Sequence, residues 1–137
     1  MGLDMNLHKK TYCFNKNIQI TGVDVNPERV TSIVEKIGHW RKANAIHRWF
    51  VQNVQDGEDD CKEYYVQREQ IKELLQIVKQ VLTDNSKAEE LLPTQKGFFF
   101  GSSDYDPWYF EDLEDTKIIL EDALLETDGD IYYSSSW

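Results

Sequence analysis

Val30-Thr31-Ser32-Ile33-Val34-Glu35-Lys36-Ile37-Gly38, followed directly by His39-Trp40-Arg41-Lys42-Ala43-Asn44-Ala45-Ile46-His47-Arg48-Trp49-Phe50, holds the change of period on which the fold class turns. In the first half, Pro27 upstream can open a helix, but the density of β-branched residues favours a strand that ends at Gly38. From His39 to Val54 the period becomes helical. Trp40, Ala43, His47, Phe50 and Val54 step by three and four and share one face, with Ile46 and Val51 on its flanks.

Outward from that stretch, both kinds of element recur. Leu3, Met5 and Leu7 alternate with polar residues and lead to Tyr12 and Phe14, the period-2 pattern of a half-buried strand. Asn15-Lys16-Asn17 is turn-like and Ile18-Gln19-Ile20 alternates again, which suggests a hairpin before the loop from Gly22 to Pro27. Tyr64-Tyr65-Val66 reads as a short strand. A second amphipathic helix buries Ile71, Leu74, Leu75, Val78 and Leu82 and stops near Asp84-Asn85. Ser86 with Glu89 has the spacing of a capping box, opening a short helix that ends before Pro93. Asp106 as N-cap and Pro107 at the first helical position open a third long helix, with Tyr109, Leu113, Thr116, Leu120 and Ala123 inward. Ile131-Tyr132-Tyr133 through Trp137 reads as a final strand that pairs with the first. The expected fold is one α+β domain over residues 1–137: a small antiparallel sheet of N- and C-terminal strands, packed by about three amphipathic helices.

The composition agrees with a folded chain, since 40% apolar and 12% aromatic residues suffice for one core in 137 residues. No run of eighteen apolar residues is present, so no membrane span is expected, and the start lacks a signal-peptide layout. A cytoplasmic location is expected, the host-cell cytoplasm if the chain is phage-encoded. Cys13 and Cys61, with no CxxC spacing, read as two small buried or half-buried thiols. Three histidines outside any HExxH or cysteine-rich context, and an Asp56-to-Asp60 loop without EF-hand alternation, indicate no metal site and no cofactor.

The net charge of −10 is local: residues 104–130 carry eleven acids and one base, Lys117, while the rest of the chain is balanced. Such a ridge repels nucleic acid and attracts basic protein surfaces, so no direct nucleic-acid partner is expected. Glu111, Asp112, Glu114, Asp115, Glu121 and Asp122 are the candidate contacts for a host protein with a basic surface, the helix then imitating a nucleic-acid backbone; a solubilising face is the plainer reading.

The helix read over 39–54 offers a second candidate site. Arg41 and Arg48 lie close together on one edge of its apolar face, with Asn44 between them and that face and His47 pointing inward beside Trp40. Arginine forks bind phosphate or carboxylate, indoles stack a base, and Asn and His can orient it. Trp40, Arg41, Asn44, His47, Arg48, Tyr105 and Trp108 are therefore candidate ligands for an anionic small molecule such as a nucleotide. The competing reading pairs the arginines with acids and makes His47 a hydrogen-bonded core residue. Trp49, opposite the apolar face, either packs under another element or meets a partner. Phe98-Phe99-Phe100 between Gly97 and Gly101 reads as core, Phe98 and Phe100 facing one way if extended. A small hydrolase is a further alternative, but no GxSxG elbow or Cys-His pair is present, and Ser102-Ser103 and Ser134 to Ser136 carry no signal of their own.

Met1-Gly2-Leu3-Asp4-Met5, Trp40-Arg41-Lys42-x-Asn44-x-Ile46-His47-x-Trp49-Phe50, Leu91-Leu92-Pro93 with Gly97 to Gly101, Tyr105-Asp106-x-Trp108-Tyr109 and the Tyr132-Tyr133 to Trp137 ending resemble a family of small uncharacterised proteins common in bacteriophages and bacteria. The resemblance runs along nearly the whole chain. The family carries no assigned activity, so it assigns no residue a role. It implies an accessory protein, of the kind that inhibits host defence by sequestering a nucleotide signal or blocking a defence protein, and so favours non-enzymatic binding. The oligomeric state is left open by the residues.

Overall fold

A computed structural model describes residues 2–13, 18, 20–97 and 99–137. Four strands, β1 (Asp4–Tyr12), β2 (Ser32–Arg41), β3 (Tyr64–Val66) and β4 (Asp130–Ser136), form one sheet in the order β2-β1-β4-β3. All three pairings are antiparallel, and β1 and β4 are the central pair. The helices are α1 (Asn44–Asn53), α2 (Arg68–Thr83), the short α3 (Ala88–Leu91) and α4 (Pro107–Leu125). The chain is thus an α+β domain with its near-terminal strands paired, as the periodicities indicate. Among the described residues no helix is long and apolar enough to cross a membrane.

The alternation in β1 sets the core. Leu3, Met5 and Leu7 are fully buried against the helices. Lys9 continues the same inward row, and its ammonium is taken up by Glu126 at 2.8 Å, Glu35 at 3.3 Å and Asp128 at 3.5 Å. Three carboxylates around one cation offset the desolvation of a buried charge. They hold its pKa above the usual lysine range, the bond to Glu126 contributing most.

β2 runs further than its sequence suggests. It does not stop at Gly38 but continues to Arg41, pairing Leu7 with Gly38, Met5 with Trp40 and Asp4 with Arg41. Gly38 is a packing requirement rather than a breaker, because a Cβ there would lie 2.5 Å from Ile119 Cγ2 on α4. Lys42, at φ +57, turns the corner, its amide donating to Leu3 O at 2.7 Å, and α1 starts only at Asn44. The expected helix over 39–54 is therefore a strand end, a corner and a ten-residue helix. Trp40 points inward because strand alternation puts it there with Gly38. The hairpin at 18–20 is likewise replaced: β1 pairs with β2, and Ile18 and Ile20 lie in no strand. Phe14 to Asn17, Gln19 and Phe98 fall outside the described residues.

The remaining helices mostly follow their periodicity. In α2, Ile71, Leu74, Leu75, Val78 and Val81 are buried, and Leu82 is only half-buried. Ser86 and Glu89 do not form a capping box. Asp84 accepts from the Ser86 amide at 3.1 Å and hydroxyl at 2.6 Å, so a 3-10 turn over Asn85–Lys87 precedes α3. The reciprocal bond of that motif is found instead at α2, where Gln70 Oε1 accepts from the Gln67 amide at 2.9 Å. In α4, Asp106 Oδ1 accepts from the Tyr109 amide at 3.0 Å, and the five expected inward residues are all buried. Arg68 closes its other end by donating to Leu124 O and Glu126 O. Phe100 is buried within a turn closed onto Gly97 O, so the aromatic run is not extended there. Cys13 is buried but Cys61 is exposed, against the expectation of two covered thiols; Cys61 sits at φ +59 in the loop before β3.

Candidate functional site

The turn at Lys42 opens a cleft between the β2–α1 corner, the loop 94–106 and the first turns of α4. Its floor is apolar, from Ala43, Ala45, Ile46 and Leu113, and its volume is about 370 Å³. Asn44 holds the loop wall. Its Nδ2 donates to Phe100 O at 3.0 Å and Ser102 O at 2.8 Å, and its Oδ1 accepts from the Gln95 amide at 3.0 Å. Thr94 Oγ1 donates to Ser103 O at 2.8 Å, its amide donates to the Tyr105 hydroxyl at 3.2 Å, and Tyr109 OH donates to Leu92 O at 2.7 Å. A loop bound at this many points is largely preformed, which lowers the ordering cost of binding.

Both signs of charge line the cleft. Arg41 and Lys42 come from the corner, and Asp104, Asp106 and Asp112 from the loop and α4. A Cβ on Gly2 would stand 3.0 Å from Lys42 Cε and 3.5 Å from Arg41 Nη2, so the two basic side chains run to the same place. Arg41 also lies 3.7 Å from Asp4, the arginine exposed and the aspartate half-buried, a long ion pair of modest strength. Asp106 is committed to the α4 cap. Asp112 is half-buried, and burial, with Asp115, Glu111 and Asp106 nearby, pushes its carboxyl up to about 6. A carboxyl displaced in this way inside a cleft is a recognised mark of a functional position. Trp108, one helical turn before Asp112, is 73% exposed at the rim.

The seven residues proposed as one ligand site are divided among four environments. Arg41, Asn44 and Trp108 line the cleft. Trp40 is buried behind it with its indole donating to Thr116 Oγ1 at 2.8 Å, so it offers no stacking face. Tyr105 braces the loop, edge-on to Tyr109 with ring centroids 5.0 Å apart. His47 is fully buried, its Nδ1 2.7 Å from Tyr133 OH and its Nε2 2.9 Å from Asp59 Oδ2, while Trp137 Nε1 donates to the other oxygen of Asp59 at 3.0 Å. It is the hydrogen-bonded core histidine of the competing reading. Asn44 orients a loop, not a ligand.

Arg48 faces a different cavity of about 250 Å³, shared with Gln52, Gln95 and Asp59. The expected Arg41–Arg48 pair does not exist, because only Arg48 is helical. Arg48 meets no carboxylate among the described residues; its terminal nitrogens lie 2.9 and 3.2 Å from the Gln52 amide oxygen when that group is turned toward it. Trp49 is buried, edge-on to Phe50.

Of the proposed acidic contacts, Glu111, Glu114, Asp115, Glu121 and Asp122 are exposed on α4, and Asp112 belongs to the cleft. Lys42, Thr94, Ser102 and Asp104 are the lining residues that sequence reasoning passed over. Lys42 carried no signal, since a positive-φ corner at a lysine has no compositional mark. No three His, Cys, Asp or Glu side chains gather as a metal site among the described residues.

No protein-family model, no curated protein and no solved structure matches this chain.

Proposed function

We propose that this chain is a non-enzymatic binding protein that holds a small anionic molecule of nucleotide type in the cleft between the β2–α1 corner and α4. The observation that carries the reading is the open indole of Trp108 in the same 370 Å³ cleft as Arg41 and Lys42. Two cations beside an available aromatic face are the pairing that a phosphate joined to a base requires. The volume falls in the range of small-ligand pockets. Asp104 and Asp112 supply acceptors for the amino edge of a base, which a phosphate alone does not need.

A binding role is favoured over a hydrolytic one by the burial of the hydroxyl end of the best-formed hydrogen-bond chain, whose His47–Asp59 end borders the Arg48 cavity. In Tyr133–His47–Asp59 the hydroxyl that would attack is fully buried and its ring stacks on Phe50 at 4.0 Å, so no substrate carbonyl or phosphate reaches it. Sequestering a nucleotide signal, as the resemblance to phage accessory proteins implies, is the role that follows.

Calorimetry against mononucleotides, cyclic nucleotides and ADP-ribose-type molecules tests the reading. At least one is expected to bind, with Trp108→Ala and Arg41→Ala each weakening it about tenfold, the loss of one stacking or charge-assisted contact of roughly 1.4 kcal/mol. If no member binds, or if the tightest one ignores both substitutions, the cleft is not the site.

A further inference from the structure

The outward face of α4 carries a second surface with its own logic. Trp108, Glu111, Asp115, Ile118, Asp122 and Leu125 follow one another at spacings of 3, 4, 3, 4 and 3 along the helix, and all six are exposed. This spacing keeps a single stripe in line along a helix that faces another helix. Three of the six are large and apolar: Trp108 is 73% exposed, Ile118 59% and Leu125 77%. Scattered single apolar residues need no explanation, but a row in register over five turns does. The other three are acids, and no ion pair reaches Glu111, Asp115 or Asp122 among the described residues; Lys79 and Lys117 both go to Glu121 at the margin of the stripe, at 4.0 and 3.9 Å. α4 thus has two apolar faces, one packed on the core through Leu113, Thr116 and Leu120, the other unpartnered.

We infer that this outer face of α4 is a docking surface for a basic amphipathic helix of a partner protein. The charges select among occupants. A second copy of α4 would set Glu111, Asp115 and Asp122 against themselves if parallel, and Glu111 against Asp122 and Asp115 against Ile118 if antiparallel, each unfavourable. An anionic lipid surface is repelled for the same reason. A helix with lysines or arginines flanking an apolar seam meets both requirements, cations opposite the three acids and apolar side chains against Trp108, Ile118 and Leu125. The stripe spans seventeen residue steps, roughly 25 Å at the helical rise, so the complementary segment is about five turns long. The 3-4 spacing implies a shallow crossing near 20°. The three anchors also separate this surface from a purely electrostatic imitation of a nucleic-acid backbone, which has no use for exposed isoleucine and leucine.

The test uses a fluorescent synthetic 21-residue peptide with leucine at the seam positions and lysine flanking them, titrated with the full chain and followed by anisotropy. Saturable binding that weakens with added salt is expected. Ile118→Ser with Leu125→Ser should weaken it at least tenfold, as should Asp115→Lys with Asp122→Lys. These four positions lie outside the cleft, so nucleotide binding by the variants should be unchanged, and the two readings can fail separately. The inference is overturned if the peptide does not bind, if either double variant binds it as well as the parent, or if a peptide with glutamate in place of lysine binds equally. Sedimentation showing a dimer that Ile118→Ser with Leu125→Ser dissolves would overturn it in favour of self-association.

Discussion

The indole of Trp40 donates to the hydroxyl of Thr116 at 2.8 Å, and that hydroxyl donates in turn to Asp112 O at 2.6 Å. Strand β2 is thereby latched to α4 behind the cleft, across 76 residues of sequence. Thr116→Val keeps the volume but leaves the buried indole N–H without an acceptor. Urea denaturation should show a loss of about 2 kcal/mol, the penalty for one orphaned buried donor. A loss below the measurement error would mean that water replaces the hydroxyl.

Asn44→Ala removes three bonds at once from the loop that walls the cleft. Two carbonyls and one amide then need water. A destabilisation of about 2–3 kcal/mol is expected, together with faster proteolysis between residues 94 and 103. Unchanged cleavage there would show that the Thr94 and Tyr109 bonds suffice alone.

Asp112 gives a pH dependence with a definite sign. Its folded-state pKa is raised from 3.8 to about 6, so between these values the folded chain binds the proton and the unfolded chain does not. Stability contributed by this group is highest below about pH 4 and falls as pH rises to about 6. Asp112→Asn should flatten that slope and stabilise the protein at pH 7 by about 1 kcal/mol, the shift being discounted for partial solvation. Thermal melts of both proteins from pH 4 to pH 7 check it. Equal slopes would place the proton elsewhere.

Lys9 has the same sign in a far more alkaline window. Its folded pKa is raised, so its contribution is complete below the ordinary lysine value of 10.5 and is lost only as pH climbs beyond it. Lys9→Met keeps the stem and removes the charge, and the three acids left behind are all at least 38% exposed. Because they return to water, the expected cost at pH 7 is about 1–2 kcal/mol, less than for breaking a fully buried pair. Denaturation at pH 7 and pH 11 should show the difference between variant and parent shrinking at the higher pH.

The elements legible in the sequence were those whose period was undisturbed. α4 shows one repeat along its full length and β1 one through Leu3, Met5 and Leu7, and the pairing of the two near-terminal strands follows once Ile131 to Trp137 is read as a strand. The sequence pattern cuts β2 short because two periods overlap at Trp40: it alternates with Gly38 on a strand and steps to Ala43 and His47 as on a helix. Gly38 looked like a stop because nothing local shows that Ile119, 81 residues on, occupies its missing side chain. For the site, the inward direction of His47 was legible, since it depends on α1 alone. The grouping of Arg41 with Arg48 was not, since it required a helix where the chain turns at Lys42. Asp112 was grouped with the acidic ridge by composition; only the approach of the loop 94–106 moves it into the cleft.

The central position of β1 and β4 also bears on how the chain is made. Residues 4–10 find their β4 neighbours at 130–136, so the middle of the sheet stays open during synthesis until that last strand leaves the ribosome. Until then the row of Leu3, Met5 and Leu7 has β2 on one side and nothing on the other, and the helices lack a floor. That pairing is therefore a late event and a slow one, because it joins segments far apart in sequence, and β1 keeps an open, aggregation-prone edge while the residues between them are made.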